Sequence, residues 1–229
     1  MVPITFAHRG ARIDEPENTI PAFRRALEQG ASGLETDAWL SSDGEVVLAH
    51  DALVRRGLRR QRVASSSAAQ LADLGVPRLA DVYATLGSDY ELSVDVKTPR
   101  VAEPLIELAR EVGVAHRLWL CAPDVEFLKT LRHFDDVRLV HSERRRAISS
   151  PLERHAADLA NAGIDVMNMH HTDWSGGLVS LFHRFDVRAF AWDVQEVRHL
   201  RTALQIGVDA VYCDRPDRMV AVVSEWTDE

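Results

Sequence analysis

The sequence predicts an α/β fold built on a parallel sheet, and two observations support this fold class. Short apolar segments alternate with longer segments of helical periodicity over most of the chain, which is the pattern of strands joined by helical crossovers. The chain has 229 residues, close to the ~250 residues of a typical eight-stranded α/β barrel. It shows no short-period repeat, so we expect residues 1–229 to form a single domain with a large core.

The predicted elements follow from apolar runs and from residues that begin and end helices. The nine candidate strands are 4–8, 34–40, 46–50, 91–97, 118–121, 137–141, 165–169, 187–192 and 210–213. The candidate helices are 19–29, a short one after Ser67, 79–86, 101–112, 124–133, 150–163, 177–184, 197–206 and 216–226. Asn18 or Thr19 can cap the first helix, and Gly30 ends it. Ser150 and Glu153 have the spacing of a capping box.

Nine candidate strands exceed by one the eight positions of a closed barrel. Only about five residues separate the second and third candidates, whereas a parallel connection usually needs about a dozen or more. Either these strands form a hairpin around Asp43 and Gly44, or an extended return replaces the helix. A hairpin would place Asp37 opposite Ala49. Both alternatives keep Asp37 and His50 at the same end of the sheet.

The charge of the chain limits the partners that we expect. With 27 basic and 35 acidic residues, the formal net charge is −8, which argues against nucleic-acid binding because phosphate backbones are held by clustered Lys and Arg. The segment 51–75, which we expect to be irregular, is an exception because it holds five arginines: Arg55, Arg56, Arg59, Arg60 and Arg62. A solvated loop is the simpler interpretation, and contact with a phosphate or a membrane headgroup is the alternative.

Cysteine use and the start of the chain predict a cellular compartment. Cys121 and Cys213 lie in predicted strands and give no disulfide framework, so we expect buried free thiols. A strand follows Pro3 directly, without the basic and apolar regions of a signal peptide. No apolar run reaches the ~18 residues that span a bilayer. We therefore expect a cytoplasmic protein with no integral membrane segment.

Charged side chains occupy alternate positions of two predicted strands. Glu35 and Asp37 point to one strand face, and Asp95 and Lys97 also share a face. Carboxylate oxygens are the ligands of Mg²⁺ or Ca²⁺, whereas zinc would recruit more His or Cys. A buried ion network with Arg9 and Lys97 is the alternative, but three acids against two bases leave a negative pocket. We therefore expect a divalent cation on the three carboxylates.

Two histidines and two basic residues complete the candidate site. Histidine as a residue type can exchange protons near neutral pH, and His8 and His50 are candidates for general acid and general base because each ends a predicted strand. A hydrogen-bonded core histidine is the alternative for either one. Arg9 and Lys97 can hold phosphate oxygens and stabilise charge in the transition state. Charge balance with the carboxylates is their alternative role.

The order of these motifs resembles the glycerophosphodiester phosphodiesterases. The matching segments are His8-Arg9-Gly10, Pro16-Glu17-Asn18-Thr19 with Ala22-Phe23, Glu35-x-Asp37, Asp43-Gly44 and His50-Asp51. Similar segments follow at 76–79, 95–97, 190–194 and 207–216, with weak support between about 117 and 188. Each piece alone is common, but the ordered set within the first 51 residues is specific to this family.

The resemblance implies a TIM (β/α)8 barrel of the phospholipase-C-like phosphodiesterase type. It implies metal-dependent hydrolysis of glycerophosphodiesters to glycerol 3-phosphate and an alcohol, with His8 and His50 as general acid and base. It also makes Trp192 an aromatic wall for the glycerol end of the substrate, for which a core Trp is the alternative. The chain departs from the family at Asp95, where Glu is usual, and at Trp192-Asp193-Val194-Gln195, where Trp-Thr-Val-Asn is usual.

Two alternatives to this function stay open. Asp95 is shared with sphingomyelinase D and phospholipase D-like relatives, so a lysophospholipase D-like enzyme acting on membrane lipids is one. An apolar loop at the barrel mouth would favour it, but the segment 51–75 lacks aromatic residues. A phosphate-ligand binding protein without catalysis is the other, and binding alone would not need both His8 and His50. The expected partner is a small glycerophosphodiester.

Overall fold

A computed structural model describes residues 2–228 of the chain. The strands of this part are β1 Ile4–His8, β2 Gly33–Leu40, β3 Val46–Leu48, β4 Leu53–Arg56, β5 Arg59–Arg62, β6 Glu91–Val96, β7 Leu118–Ala122, β8 Arg138–Ser142, β9 Val166–His170, β10 Arg188–Trp192 and β11 Ala210–Cys213. The α-helices are α1 Ile20–Glu28, α2 Ala68–Ala72, α3 Leu79–Leu86, α4 Ala102–Glu111, α5 Val125–Thr130, α6 Leu152–Asn161, α7 Gly176–His183, α8 Val197–Gln205 and α9 Pro216–Asp228.

Eight parallel strands close into a barrel. In spatial order they are β1, β11, β10, β9, β8, β7, β6 and β2, and the ring closes because β1 also pairs with β2. Helices connect most successive strands of the ring, as parallel neighbours require. The predicted (β/α)8 barrel is therefore confirmed. The carboxyl ends of all eight strands lie at one end of the barrel, which we call the mouth.

The extra strand belongs to a hairpin at the mouth. β3 pairs antiparallel with the end of β2, in a register that joins Ala38 to Leu48. The N–H of Ala49 donates to the carbonyl of Asp37 at 3.0 Å, which is the register that the hairpin alternative predicts. Gly44 supplies the positive φ of 86° in the connecting turn. The hairpin alternative is therefore correct, and the extended return is wrong.

The segment 51–75 is more regular than the sequence suggests. β4 and β5 form a second antiparallel hairpin whose tip is Gly57-Leu58. The prediction of an irregular segment is wrong here. The sequence did not indicate these strands because they lack the apolar alternation that marks a half-buried strand. A glycine with φ of 60° at the first position of a two-residue turn instead favours a tight hairpin. We call β4, β5 and this tip the arginine hairpin.

The structure confirms the predicted cap of α1 and contradicts the capping box predicted before α6. Thr19 caps α1 through its side-chain oxygen, as predicted. The capping box predicted at Ser150 is wrong, because Pro151 takes the capping position of α6 and has no side-chain acceptor. A capping box instead precedes α2, where the side chains of Ser67 and Gln70 each accept from the other's backbone N–H.

An aromatic cluster fills the barrel interior below the mouth. Phe6 stacks on Tyr212 with ring centroids 4.8 Å apart, and Phe190 lies 5.2 Å from Trp119. These four rings are almost completely buried. Gly33 makes room for Phe6, because a Cβ there would lie 2.6 Å from its ring. The strand residues of alternate parity pack outward against the helices in the main core.

No helix among residues 2–228 is long and apolar enough to cross a membrane. Cys121 and Cys213 are buried free thiols, as predicted.

Candidate active site

The strand period places the charged side chains of the mouth directly above the aromatic cluster. Residues two apart share a strand face, so His8 follows Phe6 and Asp214 follows Tyr212 on the inward side. By the same rule, Trp192 follows Phe190. The cluster closes the barrel below this layer, which therefore lies at the bottom of the mouth.

Three carboxylates meet in this layer. Glu35 and Asp37 of β2 are almost completely buried, and Asp95 of β6 lies beside Asp37 in the parallel register. One carboxylate oxygen from each lies within 4.8 Å of the others. We call these three residues the acidic cluster. The structure thus brings together the three acids that the sequence predicts as metal ligands.

The acidic cluster holds more negative charge than its surroundings neutralise. Burial is the largest influence on Glu35 and, with the charges of Asp37 and Asp95, it raises the pKa of Glu35 to about 8. The positive field of His8 and the N–H of Arg9 oppose this rise without cancelling it. Desolvation raises the pKa of Asp95 as well, although Lys97 opposes it. An oxygen-rich donor set short of positive charge fits a hard divalent cation.

Asp37 is held in place by three side chains. Lys97 Nζ lies 2.6 Å from Asp37 Oδ1 and 3.6 Å from Asp95. Asn18 Nδ2 donates to Asp37 Oδ2 at 2.9 Å, and Arg9 Nε lies 3.2 Å from the same oxygen. Each carboxylate oxygen carries two lone pairs, so these contacts leave capacity for a cation. Sequence reasoning missed Asn18 in this role, although it lies in the matching Pro16–Thr19 segment.

A strained turn after β1 directs Arg9 toward the acidic cluster. Arg9 has a φ of 57°, which is uncommon for a residue other than glycine. In this conformation its N–H donates to Glu35 Oε2 at 2.9 Å, while Nη1 donates to Glu17 at 3.2 Å. Gly10 continues the turn with a φ of 80°, and a Cβ there would lie 2.7 Å from the backbone of Ala22. Such strain is typical of functional sites.

His8 is oriented by a carboxylate from the opposite end of the chain. Its Nδ1 donates to Asp214 Oδ1 at 2.6 Å, and its Nε2 lies 3.9 Å from Glu35 Oε2. Burial lowers the pKa of His8, but the charge of Glu35 and the hydrogen bond to Asp214 outweigh burial and raise it above its usual value. For Asp214, burial acts to raise the pKa, and the contact with His8 holds it below the usual value.

Asp214 ends the last predicted strand, where the sequence favours an ordering role through Arg215 over a role in catalysis; the structure instead places its carboxylate against His8. The available signal was its position two residues after the inward-facing Tyr212, at the end of β11. An ionised carboxylate that accepts from one ring nitrogen fixes the tautomer and leaves the other nitrogen facing the site. His8 Nε2 therefore faces the acidic cluster.

Trp192 forms a wall on the opposite side of the mouth. The guanidinium of Arg144 lies over its ring, 5.6 Å from the centroid, and His170 meets it edge-on at 4.7 Å. Asp173 accepts from Arg144 at 2.7 and 3.2 Å and holds it in this position. The sequence favours surface loops for Arg144 and His170 and gives no signal for Asp173, because these residues lie in the part of the chain with the weakest resemblance.

His50 is more exposed than His8 and makes fewer contacts. It follows β3, and its Nδ1 lies 3.0 Å from Asp51 Oδ1. It lines a cavity of about 1150 Å³, whose other walls include Asn18, Arg55 and Arg56. His50 and Asn18 therefore share a cavity wall, and Asn18 also contacts the acidic cluster.

Comparison with known proteins agrees with this geometry. The model of the glycerophosphoryl diester phosphodiesterase family matches residues 8–218. The chain belongs to this family. Membership confirms the resemblance seen in the sequence and makes the chain a phosphoric diester hydrolase. The match spans β1 to α9 and so includes every residue of the acidic cluster and both histidines.

The similarity to relatives in this family covers nearly the whole chain. A curated glycerophosphodiester phosphodiesterase of Caldanaerobacter subterraneus is 24% identical and covers 97% of this chain and 98% of its own. The crystal structure of a glycerophosphodiester phosphodiesterase from Thermotoga maritima superposes with a TM-score of 0.85 at 21% identity, with 96% of this chain and 98% of that chain covered. An Oleispira antarctica phosphodiesterase, solved with the product sn-glycerol-3-phosphate, gives 0.83 at 18% identity, with 97% of each chain covered. The solved structures share the barrel fold with this chain.

In this member of the family, the predicted site residues fall into two groups. The structure brings seven of them to the mouth of the barrel: His8, Arg9, Glu35, Asp37, Asp95, Lys97 and Trp192. The eighth, His50, lies beside them on the cavity wall. The roles of these residues are part of the proposal that follows.

Proposed function

We propose that this protein hydrolyses glycerophosphodiesters to glycerol 3-phosphate and an alcohol at the mouth of the barrel. The observation that carries the proposal is the acidic cluster lying beside the oriented His8. Family membership supports the reaction class, and the product complex of the Oleispira antarctica relative supports glycerol 3-phosphate as the product.

Glu35, Asp37 and Asp95 are the residues that would hold a divalent cation, Mg²⁺ or Ca²⁺. The donor set supports this assignment, because all three ligands are carboxylates and burial among like charges raises the pKa of Glu35 and that of Asp95. Once bound, the cation would act as a Lewis acid on the phosphoryl group. Asn18 and Lys97 hold Asp37 in a fixed orientation, so this carboxylate is already oriented before a cation binds.

His8 and His50 divide the proton transfers. One accepts the proton of the attacking nucleophile, and the other protonates the alcohol oxygen that leaves, as the two proton movements of the reaction require. His8 acts through Nε2, because Asp214 occupies Nδ1. His50 acts from the cavity wall, where its exposure gives it access to the alcohol end of a substrate.

Lys97 and Arg9 hold the phosphate oxygens. Both already border the acidic cluster, so a phosphodiester placed there would add its negative charge beside two cations. Positive side chains positioned before the reaction stabilise the charge that develops on the phosphoryl oxygens. Trp192 offers a flat apolar ring to a small polyol. The guanidinium of Arg144 lies over this ring and helps to fix its orientation.

A coupled assay tests the proposal. Glycerophosphocholine and glycerophosphoethanolamine are offered in Mg²⁺ or Ca²⁺ buffer, and glycerol-3-phosphate dehydrogenase reports the product. We expect glycerol 3-phosphate with at least one of the two substrates. Choline released from a lysophospholipid, with no glycerol 3-phosphate from either substrate, would identify the lysophospholipase D-like alternative. Binding of a phosphate ester without turnover in any metal would identify the non-catalytic alternative.

The sequence makes three further predictions that accompany this proposal. They are the single domain over residues 1–229, the cytoplasmic location and the lack of a nucleic-acid partner, which follows from the net charge of −8.

A further inference from the structure

The arginine hairpin pairs like charges across its two strands. Arg55 lies directly opposite Arg60, and Arg56 lies directly opposite Arg59. Side chains directly opposite in an antiparallel pair lie about 5 Å apart, and like charges there are destabilising. The hairpin is therefore less stable by itself than it would be with an anion between these side chains.

The rest of the described chain supplies little counter-charge to these arginines. Within residues 2–228, no carboxylate lies within 4.0 Å of any guanidinium of the hairpin, and Arg56 contacts only the carbonyl oxygen of Asp73 at 3.4 Å. Arginines elsewhere do find partners, as Arg78 does with Asp81 and Arg110 with Asp136. The hairpin thus concentrates unneutralised positive charge on a chain whose net charge is −8.

The tip of the arginine hairpin is apolar and unpacked. Leu58 has a relative exposure of 104%, the highest of the large hydrophobic side chains in the described residues. Its neighbour Gly57 has nothing within 4 Å of the position that a Cβ would occupy. A leucine presented in this way has no apolar contact in water and would gain burial on contact with an apolar phase.

The first strand of the arginine hairpin, β4, borders the candidate active site. Arg55 and Arg56 line the cavity of about 1150 Å³ that His50 also lines. A partner held by the hairpin would therefore lie beside this cavity.

We propose that the arginine hairpin docks the protein on an anionic lipid surface. The arginines contact the phosphates of the headgroups, and Leu58 enters the boundary between headgroups and acyl chains. A polynucleotide fits the same positive charge less well, because the hairpin has no aromatic residue for base stacking and its apolar tip would stay in water. The proposal is independent of the reaction catalysed at the mouth.

Flotation with lipid vesicles tests this proposal. The full chain is mixed with vesicles of equal parts phosphatidylcholine and phosphatidylglycerol, and with vesicles of phosphatidylcholine alone. We expect binding to the anionic vesicles only, lost on addition of salt. The double variant Arg59→Gln/Arg60→Gln weakens this binding by about 25-fold, since each arginine near the surface contributes about fivefold. Leu58→Asn weakens it by a smaller factor.

Two controls separate docking from folding and from net charge. Arg24→Gln/Arg198→Gln removes the same charge from exposed helical positions that make no ion pair in the described chain, and we expect it to float like the wild type. Arg59→Gln/Arg60→Gln relieves two cross-strand repulsions, so its unfolding temperature should equal or exceed that of the wild type, with turnover of soluble substrate unchanged.

Three results would overturn the proposal. The first is a wild type that does not float with anionic vesicles. The second is equal binding to phosphatidylcholine alone. The third is equal loss in the hairpin variant and the helical control. A wild type that shifts a labelled oligonucleotide, but leaves the vesicles unbound, would replace the lipid by a polynucleotide.

Discussion

The two sides of the barrel mouth differ in how their charges are paired. On the side of β1, β2 and β6, three carboxylates share Arg9 and Lys97, and Glu35 is left with a pKa of about 8. On the side of β8, β9 and β10, Arg144 forms a bidentate pair with Asp173 beneath the aromatic face of Trp192. The side of the acidic cluster is short of positive charge. On the side of Trp192 the charges of Arg144 and Asp173 balance each other beside a flat aromatic ring; we call it the neutral side.

In the proposed mechanism, the first side carries out the chemistry and the second side holds the substrate. Perturbed pKa values lie on the side that, in the proposed mechanism, binds a cation and transfers protons. A neutralised pair beside an aromatic ring has little chemistry of its own and offers an apolar surface with fixed geometry. If the two sides have these roles, changes on the first should reduce kcat, and changes on the second should mainly raise KM.

The largest expected effect comes from removing divalent cations. Exhaustive chelation should lower turnover by about 1000-fold or more, because several kcal/mol of transition-state charge stabilisation are lost. Adding back Mg²⁺ or Ca²⁺ should restore it, and circular dichroism before and after chelation serves as the folding control. Full activity in protein whose metal content is measured as zero would remove the cation from the acidic cluster.

Loss of a histidine should have the next largest effect. His8→Ala and His50→Ala should each lower kcat by about 100-fold or more while folding normally, because each transfers a proton in the reaction. Steady-state kinetics with glycerophosphocholine measures this, and His116→Ala, an exposed histidine on another face, is the matched control. A variant with unchanged turnover would exclude that histidine from the mechanism.

Asp214→Asn should have a smaller effect and a characteristic pH dependence. Turnover should fall by about 10- to 100-fold, because the ring of His8 loses its orienting carboxylate. Asp214 raises the pKa of His8, so its removal should move the limb of the pH–rate profile that His8 controls to lower pH. Asp173→Asn, on the neutral side, should leave that limb where it is. A profile that does not move in Asp214→Asn would reduce Asp214 to a structural residue.

The smallest effect is expected on the neutral side. Trp192→Ala should raise KM by about 3- to 10-fold with kcat nearly unchanged. The polyol would lose its aromatic contact equally in the bound substrate and in the transition state. Trp192→Phe should recover most of the wild-type KM. A fall in kcat with constant KM in Trp192→Ala would show that this side takes part in the chemistry, and the division between the two sides would then be wrong.

Local patterns allowed much of the fold to be predicted. The strands, the helices between them and the hairpin register around Asp43 and Gly44 follow from apolar periodicity and turn residues within short windows. The arginine hairpin escaped prediction because its strands are stabilised by a tight turn and by local pairing. Burial, which leaves an apolar pattern in the sequence, contributes little to them.

The sequence by itself determined the composition of the acidic cluster and the face on which each member lies. Glu35 and Asp37 had to point the same way because strand side chains alternate with a period of two. Only the tertiary structure decided which distant groups meet them. His8 and Asp214 are 206 positions apart and become neighbours because β1 pairs with β11 to close the barrel. Arg144, which follows β8, reaches Trp192 of β10 across the intervening strand β9. Such contacts depend on strand order and register around the ring, which no local pattern records.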